Sequence, residues 1–572
     1  MSDSDEALAA GRQRGDLTEQ QRRVRLEDRL LTHRVAPADT RILPRAEGER
    51  CPLSLTQQRL WFLDQLFPGS PAYNEPTALR LEGKLDSASL SRALDEIVAR
   101  HEALRTVFAL AEGEPYQVVQ PPRPLDLEPL DLSALEDAAR EAALAEALGE
   151  TAARPFDLSM RWPIRARLIR LGPLDHVLLL VTHHIASDGW SDGVLFRELA
   201  VLYDAFSAGR PSPLPPLAVQ YGDFAAWQRR QLAGGGLDRQ LAYWRRQLAG
   251  LPAEVTFPPD RPRPVVPTYQ GAREARVFPG ALVEGLKALG RSENATLFMA
   301  LLAGFLALLH RYTGQPDVVV GSPIAGRTRV EIEPLIGFFV GTLPLRGDLS
   351  GDPTVREHLR RVREVALTGY GHQDVPFEKL VEELAPERTL NRNPIVQVMF
   401  GLRDARATLP ALRGLAVERL PVGSESAKFD VTVYAAEVPE GLDVTARYST
   451  ELYEAGTIAR LLEHFERLLA AMVAAPDARL ASLGLTSEAE RRQVLDGWNR
   501  AVAPTPKATT VARLVEAQVA RTPDAVAVVA GATRMTYAQL DASATRWPAT
   551  CVAEVWVQGH SSGCAQSARP RW

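Results

Sequence analysis

The chain has 572 residues, which by usual domain size corresponds to roughly four structural units. Hydrophobic residues make up 45% and charged residues 24%, an ordinary globular balance, and a net charge of -5 supplies no general basic field for nucleic acid. Cys51, Cys551 and Cys564 show neither metal-ligand spacing nor a disulfide framework, and the polar start "MSDSDEALAAGRQRGD" lacks the apolar core of a secretory signal.

Residues 5–34, as in "LTEQQRRVRLEDRLL", read as an amphipathic leader helix, and a loose segment follows to about residue 50. "SASLSRALDEIVARHEALR" places Leu90, Leu94, Ile97 and Val98 on one face of a helix. "HVLLLVTHH" (176–184) is a short apolar run rich in β-formers and reads as a buried strand; "DGVLFRELAVLYDAF" after it reads as a helix. Proline-rich "GRPSPLPPL" (209–217) and "LPAEVTFPPDRPRPVVPTYQG" (251–271) read as exposed connections. The longest apolar run, "LFMALLAGFLALL" (297–309), is too short to cross a bilayer and reads as a core helix. Strand-like "DVVVGSPIAG", "IVQVMFGLRD" and "FDVTVYAAE", with the helix "TIARLLEHFERLLAAMV", complete a second α/β region. The expectation is a soluble, cytoplasmic protein with two α/β lobes over 51–225 and 226–485. A linker (486–510) and a helix–strand–turn–strand segment (511–546) follow.

The last 26 residues, 547–572, hold three of the nine tryptophans, two of the three cysteines and no leucine. Basic charge in the chain is almost all arginine, with five lysines among 66 Lys+Arg, as a GC-rich gene would give. Back-translated one base earlier, this tail permits a leucine- and arginine-rich continuation like the preceding chain. It therefore reads as a frameshifted end.

"VTHHIASDGWS" (181–191) lies where the buried strand meets the helix. Successive strand side chains point to opposite faces, so His183 and His184 do not converge on one ion. His184 and Asp188 supply two ligands and no third is evident, where metal sites need three or four. A satisfied interior histidine with a capping aspartate is the plainer alternative. A His, an Asp and Gly189, which allows positive φ or close backbone approach, together on one turn point instead to chemistry. A neutral imidazole at His184 can accept a proton or hydrogen-bond a reacting group near pH 7. A buried Asp188 needs a partner, and an arginine would brace the loop. His183 then points away and supports the turn.

"HHIASDGWS" resembles the His-His-x-x-x-Asp-Gly signature of condensation domains of non-ribosomal peptide synthetases. "LSLTQQRLWFLDQL", "RHEALRTVF", "YGDFAAW", "IGFFVGTLPLR", "HQDVPFE" and "NRNPIVQVMF" resemble the family's other motifs, in the family's order, across about residues 50–485. The resemblance implies an α/β fold of two chloramphenicol-acetyltransferase-like lobes forming a V-shaped pseudo-dimer with a central tunnel. It implies amide formation between a donor acyl or peptidyl thioester and an acceptor aminoacyl thioester. No cofactor is bound directly; phosphopantetheine sits on an upstream donor carrier and a downstream acceptor carrier, the former arriving on another polypeptide. Neither nucleic acid nor membrane is a partner.

"RHEALRTVF" with "HHIASDGWS" resembles the type joining an L-donor to an L-acceptor. An epimerization domain ranks second, and a platform that only recruits other proteins, or an inactive fragment, are further alternatives. By the same resemblance His184 is the catalytic residue. Arg327 in "GSPIAGR" is the favoured partner of Asp188, with Arg100 and Arg105 as rivals. Tyr221, Asp223 and Trp227 read as structural, as do Gln373, Asp374 and Phe377. Gly341 stands where the family often has Asn. "MTYAQL" (535–540) resembles the opening of an adenylation domain, cut off near its start and without adenylation activity.

Overall fold

The computed structural model describes residues 41–545, apart from 47, 234, 236, 253, 385–390, 404–408, 423–425 and 500–509. The expected leader helix and the tail 547–572 lie outside the described residues. The chain divides into two compact units between Leu485 and Thr486. In the second, helix Val511–Arg521 is followed by an antiparallel pair, Val526–Ala530 with Thr533–Thr536, and helix Tyr537–Thr545.

The first unit is built on two sheets. One has five strands in the order Leu415–Leu420, Asn74–Gly83, Asp175–His183, Ile164–Gly172, Leu130–Asp131; only the last pair is parallel. Strand Asp175–His183 is covered on both sides. Leu178 and Leu180 pack with helices Ser87–Arg100 and Gly189–Ser207, whereas Val177, Leu179 and Val181 pack with helix Asp137–Ala153. A period of two residues with both faces buried explains why the run is continuously apolar.

The other sheet has six strands in the order Gly341–Asp348, Asp317–Ile324, Val398–Arg403, Val431–Val438, Gly441–Ser449, Gly271–Pro279. Helices Gly280–Ser292, Leu297–Thr313, Val355–Gly371 and Ala455–Ala474 share its core. Leu297–Thr313 is buried without a break from Met299 to Leu309. Thr296 caps its start by accepting the Met299 N–H, and Gly314, at φ 71°, ends it in the left-handed conformation. A Cβ at Gly304 would come within 2.4 Å of Leu469, so a side chain there would hold this helix and Ala455–Ala474 apart. Among the described residues no single helix is long and apolar enough to cross a membrane.

The expected divide at 225/226 falls inside helix Tyr221–Ala233. Nor do the two sheets draw on separate halves of the sequence. Strand Leu415–Leu420 comes from the second half and pairs with Asn74–Gly83, Leu420 facing Ala78. Ile332, Leu335, Phe338 and Phe339 pack into the core of the five-stranded sheet. The helix expected through Arg105 also breaks, ending at Arg100 with a 3₁₀ turn at Glu102–Arg105. His101 between them is extended, its ring buried between the Glu198 carboxylate (2.9 Å) and the Ile336 N–H (3.2 Å). That tertiary pairing overrides local helix propensity.

His358 is fully buried and donates its Nε2–H to the Ala303 carbonyl at 3.0 Å. Burial pushes its imidazole from 6.5 down to about 4. The unfolded chain therefore takes up this proton first, so the stabilisation is complete above pH 6.5 and lost as the pH falls toward 4. Thermal melts across that window should show stability falling by up to ~1.4 kcal/mol per pH unit from this group. His358→Gln, which keeps a donor toward Ala303, should flatten the slope.

Candidate functional site

The motif turn begins where strand Asp175–His183 ends. His183 continues the parity of Val177, Leu179 and Val181 and enters the same core. Its ring lies edge-on to Phe156 at 5.9 Å, and its Nδ1 accepts the Ile185 N–H at 3.1 Å. It is 3% exposed, and burial pushes its imidazole down to about 3, so it is neutral at any physiological pH. His184, one residue on, keeps 19% of its side chain exposed. Its backbone N–H bonds the Tyr73 carbonyl at 2.9 Å and its ring packs on Phe338 at 4.7 Å. Nδ1 lies 2.7 Å from the Ser187 carbonyl. A carbonyl only accepts, so Nδ1 carries the hydrogen and Nε2 is left with its lone pair. Burial, then the Lys428 ammonium, lower the proton affinity of His184 and keep it neutral near pH 7.

Asp188 does not face His184's free nitrogen. It is 4% exposed and caps helix Gly189–Ser207. One carboxylate oxygen accepts from Ser191 N–H and Oγ–H, both at 2.8 Å, and from Arg327 at 3.1 Å. The other accepts from the backbone N–H groups of Phe339 (2.9 Å) and Val340 (3.1 Å). Arg327 also donates to the Ile332 carbonyl and lies over the Phe339 ring at 4.1 Å. Arg100 and Arg105 lie elsewhere. Arg100 reaches Glu198 and the Pro215 carbonyl, and Arg105 the Ala99 and Gln120 carbonyls.

Gly189 departs from expectation. It is the first residue of its helix, its φ is not left-handed, and a Cβ there would meet nothing within 4 Å. The change of direction is made one residue earlier, by Asp188 in the extended conformation (φ -143°, ψ 175°). Tyr221 Oη donates to the Phe338 carbonyl at 2.7 Å, and Asp223 accepts from Arg45 at 3.1 Å. Trp227 packs on Phe224 and under Arg329. Gln373 lies between helices Val355–Gly371 and Phe377–Leu384, Asp374 accepts from Gln240, and Phe377 is buried. Gly341 opens the edge strand of the six-stranded sheet, where a Cβ would lie 3.2 Å from Ile324. Among the described residues no group of three or more His, Cys, Asp or Glu could hold a metal ion.

Three charged groups at the site were not singled out in the sequence. Glu75, on strand Asn74–Gly83, lies 3.9 Å from His184 Nε2. Lys428 donates to Glu75 Oε1. Burial would raise the Glu75 carboxyl, but Lys428, His184 and Arg447 together outweigh it and hold the group down at about 2. Asp192, in the first turn of helix Gly189–Ser207, is pushed up to about 7 by burial and by the Glu75 and Asp188 carboxylates. The one mark Lys428 carries in the sequence is rarity, as one of five lysines.

Residues 47–495 match the condensation domain family, and the chain belongs to it. The two-lobed, chloramphenicol-acetyltransferase-like α/β fold of that family is the one described above. The chain is 44% identical over 507 residues to a polypeptide of the linear gramicidin synthase of Brevibacillus parabrevis, covering 88% of this chain and 6% of that protein. It is 42% identical over 515 residues to a chondramide synthase of Chondromyces crocatus, covering 90% of this chain and 13% of that protein. It thus spans a small part of the curated relatives it matches. Among solved structures it resembles the X-domain in the complex of the X-domain and OxyB from teicoplanin biosynthesis. That match has a TM-score of 0.73 and 32% identity, over 79% of this chain and 100% of that one. It also resembles the first condensation domain of the CDA synthetase, with a TM-score of 0.64 and 26% identity over 77% and 100% of the two chains.

Removing Asp188 leaves Arg327 charged, buried and unpaired. Asp188→Ala should cost about 3–5 kcal/mol of stability, read as a lowered thermal midpoint and soluble yield. Adding Arg327→Met should recover part of that loss.

Proposed function

We propose that the chain forms an amide bond between a donor acyl or peptidyl thioester and an acceptor aminoacyl thioester, in non-ribosomal peptide synthesis. The observation that carries this reading is the Nε2 lone pair of His184. It belongs to a neutral imidazole, its tautomer is set by the Ser187 carbonyl, and it is partly open to solvent. A thioester is already activated and an amine is a good nucleophile, so holding the two together supplies much of the rate. His184 orients the amine and takes the proton that nitrogen sheds as the N–C bond forms. The C–S bond then breaks, sulfur leaves with its electron pair, and the proton passes to it. Asp188, Arg327 and His183 hold the turn and do not touch the reacting atoms.

The substrates arrive on phosphopantetheine arms of a donor carrier and an acceptor carrier; that group is part of the substrate and not a resident cofactor. The motif set favours an L-donor and an L-acceptor. We read residues 511–546 as the opening of an adenylation segment, on the resemblance of "MTYAQL". The likeness to the X-domain solved with OxyB favours a second reading, in which the chain recruits a partner enzyme. The neutral, partly open imidazole at His184 favours the first.

With loaded donor and acceptor carriers, His184→Ala should lower amide formation on the order of 10²–10⁴-fold while the thermal midpoint stays close to that of the parent. Near-normal product from this variant would overturn the reading. A wild-type protein that makes no product but binds a partner enzyme would favour recruitment.

A further inference from the structure

Glu75 and His184 are placed so that neither satisfies the other. Their facing atoms are 3.9 Å apart, too far for a direct hydrogen bond. The Nδ1–H of His184 is committed to Ser187, so an imidazole lone pair confronts a carboxylate. Two acceptors at that distance call for a donor between them. A nitrogen about 2.8–3.0 Å from each fits at the apex of such a triangle, off the line joining them. A cation there gains a charge-assisted bond from Glu75 as well.

We infer that Glu75 is the counter-ion of the acceptor's nitrogen: His184 Nε2 and the Glu75 carboxylate together hold the α-ammonium of the acceptor aminoacyl group. The inference rests on the condensation reading and adds a positioning residue, Glu75, and the charge state in which the acceptor amine is received. One ammonium proton leaves through His184 to solvent, and the nitrogen then attacks the thioester carbon. The second leaves through His184 to the departing sulfur. The products are an amide, a thiol and one proton.

The charges around this point come from several elements. Lys428 and, from strand Gly441–Ser449, Arg447 favour the ionised form of Glu75. His183 and Asp188 lie on the inner side of the motif turn. Asp192 faces the cluster from its helix, with Arg403 and Arg419 acting on it. Lys428 donates to Oε1, the same oxygen that lies 3.9 Å from His184 Nε2; a carboxylate oxygen carries two lone pairs, so one remains there for the ammonium and Lys428 keeps Glu75 ionised without using it up.

The test is calorimetric binding of a stable aminoacyl-pantetheine amide, without donor, at pH 6.5 and pH 9; an α-amine titrates near ~8, so it is charged at the first and neutral at the second. Glu75→Gln should weaken binding at least about tenfold at pH 6.5, ~1.4 kcal/mol, and much less at pH 9. A hydroxyacyl-pantetheine amide should show no such pH-dependent loss, and Glu75→Asp, which keeps the charge, should retain most of the effect. Lys428→Met, which removes the cation that keeps Glu75 ionised, should weaken aminoacyl binding at pH 6.5 and leave hydroxyacyl binding unchanged. Equal losses in Glu75→Gln and Lys428→Met, with both ligands, would mean that Glu75 serves only as the partner of Lys428. That result, or unchanged binding in Glu75→Gln, overturns the inference. Glu75-dependent binding in a protein that forms no amide would overturn the condensation reading and leave the ammonium subsite standing.

Discussion

The buried carboxylate of Asp188 is the contact on which the site depends. It collects five hydrogen bonds, from Ser191 twice, Arg327, Phe339 and Val340. Taking an Asp–Arg pair out of water is costly, and the attraction between the two offsets this only when the remaining lone pairs are also satisfied. Here they are, by backbone groups more than 150 residues away. The result is a knot between the motif turn and the segment through Phe338 and Phe339. Both neighbours of the His184 ring follow from it. Ser187, whose carbonyl holds Nδ1–H, precedes Asp188 in sequence, and Phe338, on which the ring packs, precedes Phe339. Asp188 thus sets the orientation of an imidazole that it does not touch.

The paired histidines show how one residue of register divides chemistry from scaffold. His183 sits on the core side of its strand, where burial strips it of charge and of access. His184 falls just past the strand end, half-enclosed, with one nitrogen anchored and the other open. A slip of one residue in that strand would exchange their environments and turn its apolar side chains to the wrong faces.

What could be read from the sequence and what could not divide along physical lines. Strand Asp175–His183 and helix Gly189–Ser207 were visible because burial periodicity and an Asp cap are local signals. The opposed directions of His183 and His184 follow from strand geometry alone. The expectation of positive φ or close backbone approach at Gly189 failed because Asp188 in extended conformation makes the bend. The lobe boundary failed at Tyr221–Ala233, since proline-rich composition marks a loop and says nothing of which core the next helix joins. Glu75 and Lys428 were invisible for a different reason. They are separated by 353 residues, and neither belongs to a motif that spacing or periodicity could flag.

Strand Leu415–Leu420 closes the exposed edge of Asn74–Gly83. More than two hundred residues separate His183 from Leu420, and a ribosome adds on the order of 5–20 residues per second. For roughly ten seconds or longer the nascent first sheet therefore has an unpaired edge, the kind of surface on which chains stick to one another. The motif turn is in the same position, because Arg327, Phe339 and Val340 are synthesised long after Asp188. The half that carries both histidines is translated first but stays incomplete until the chain has reached Leu420, so its maturation is timed by the emergence of the other half.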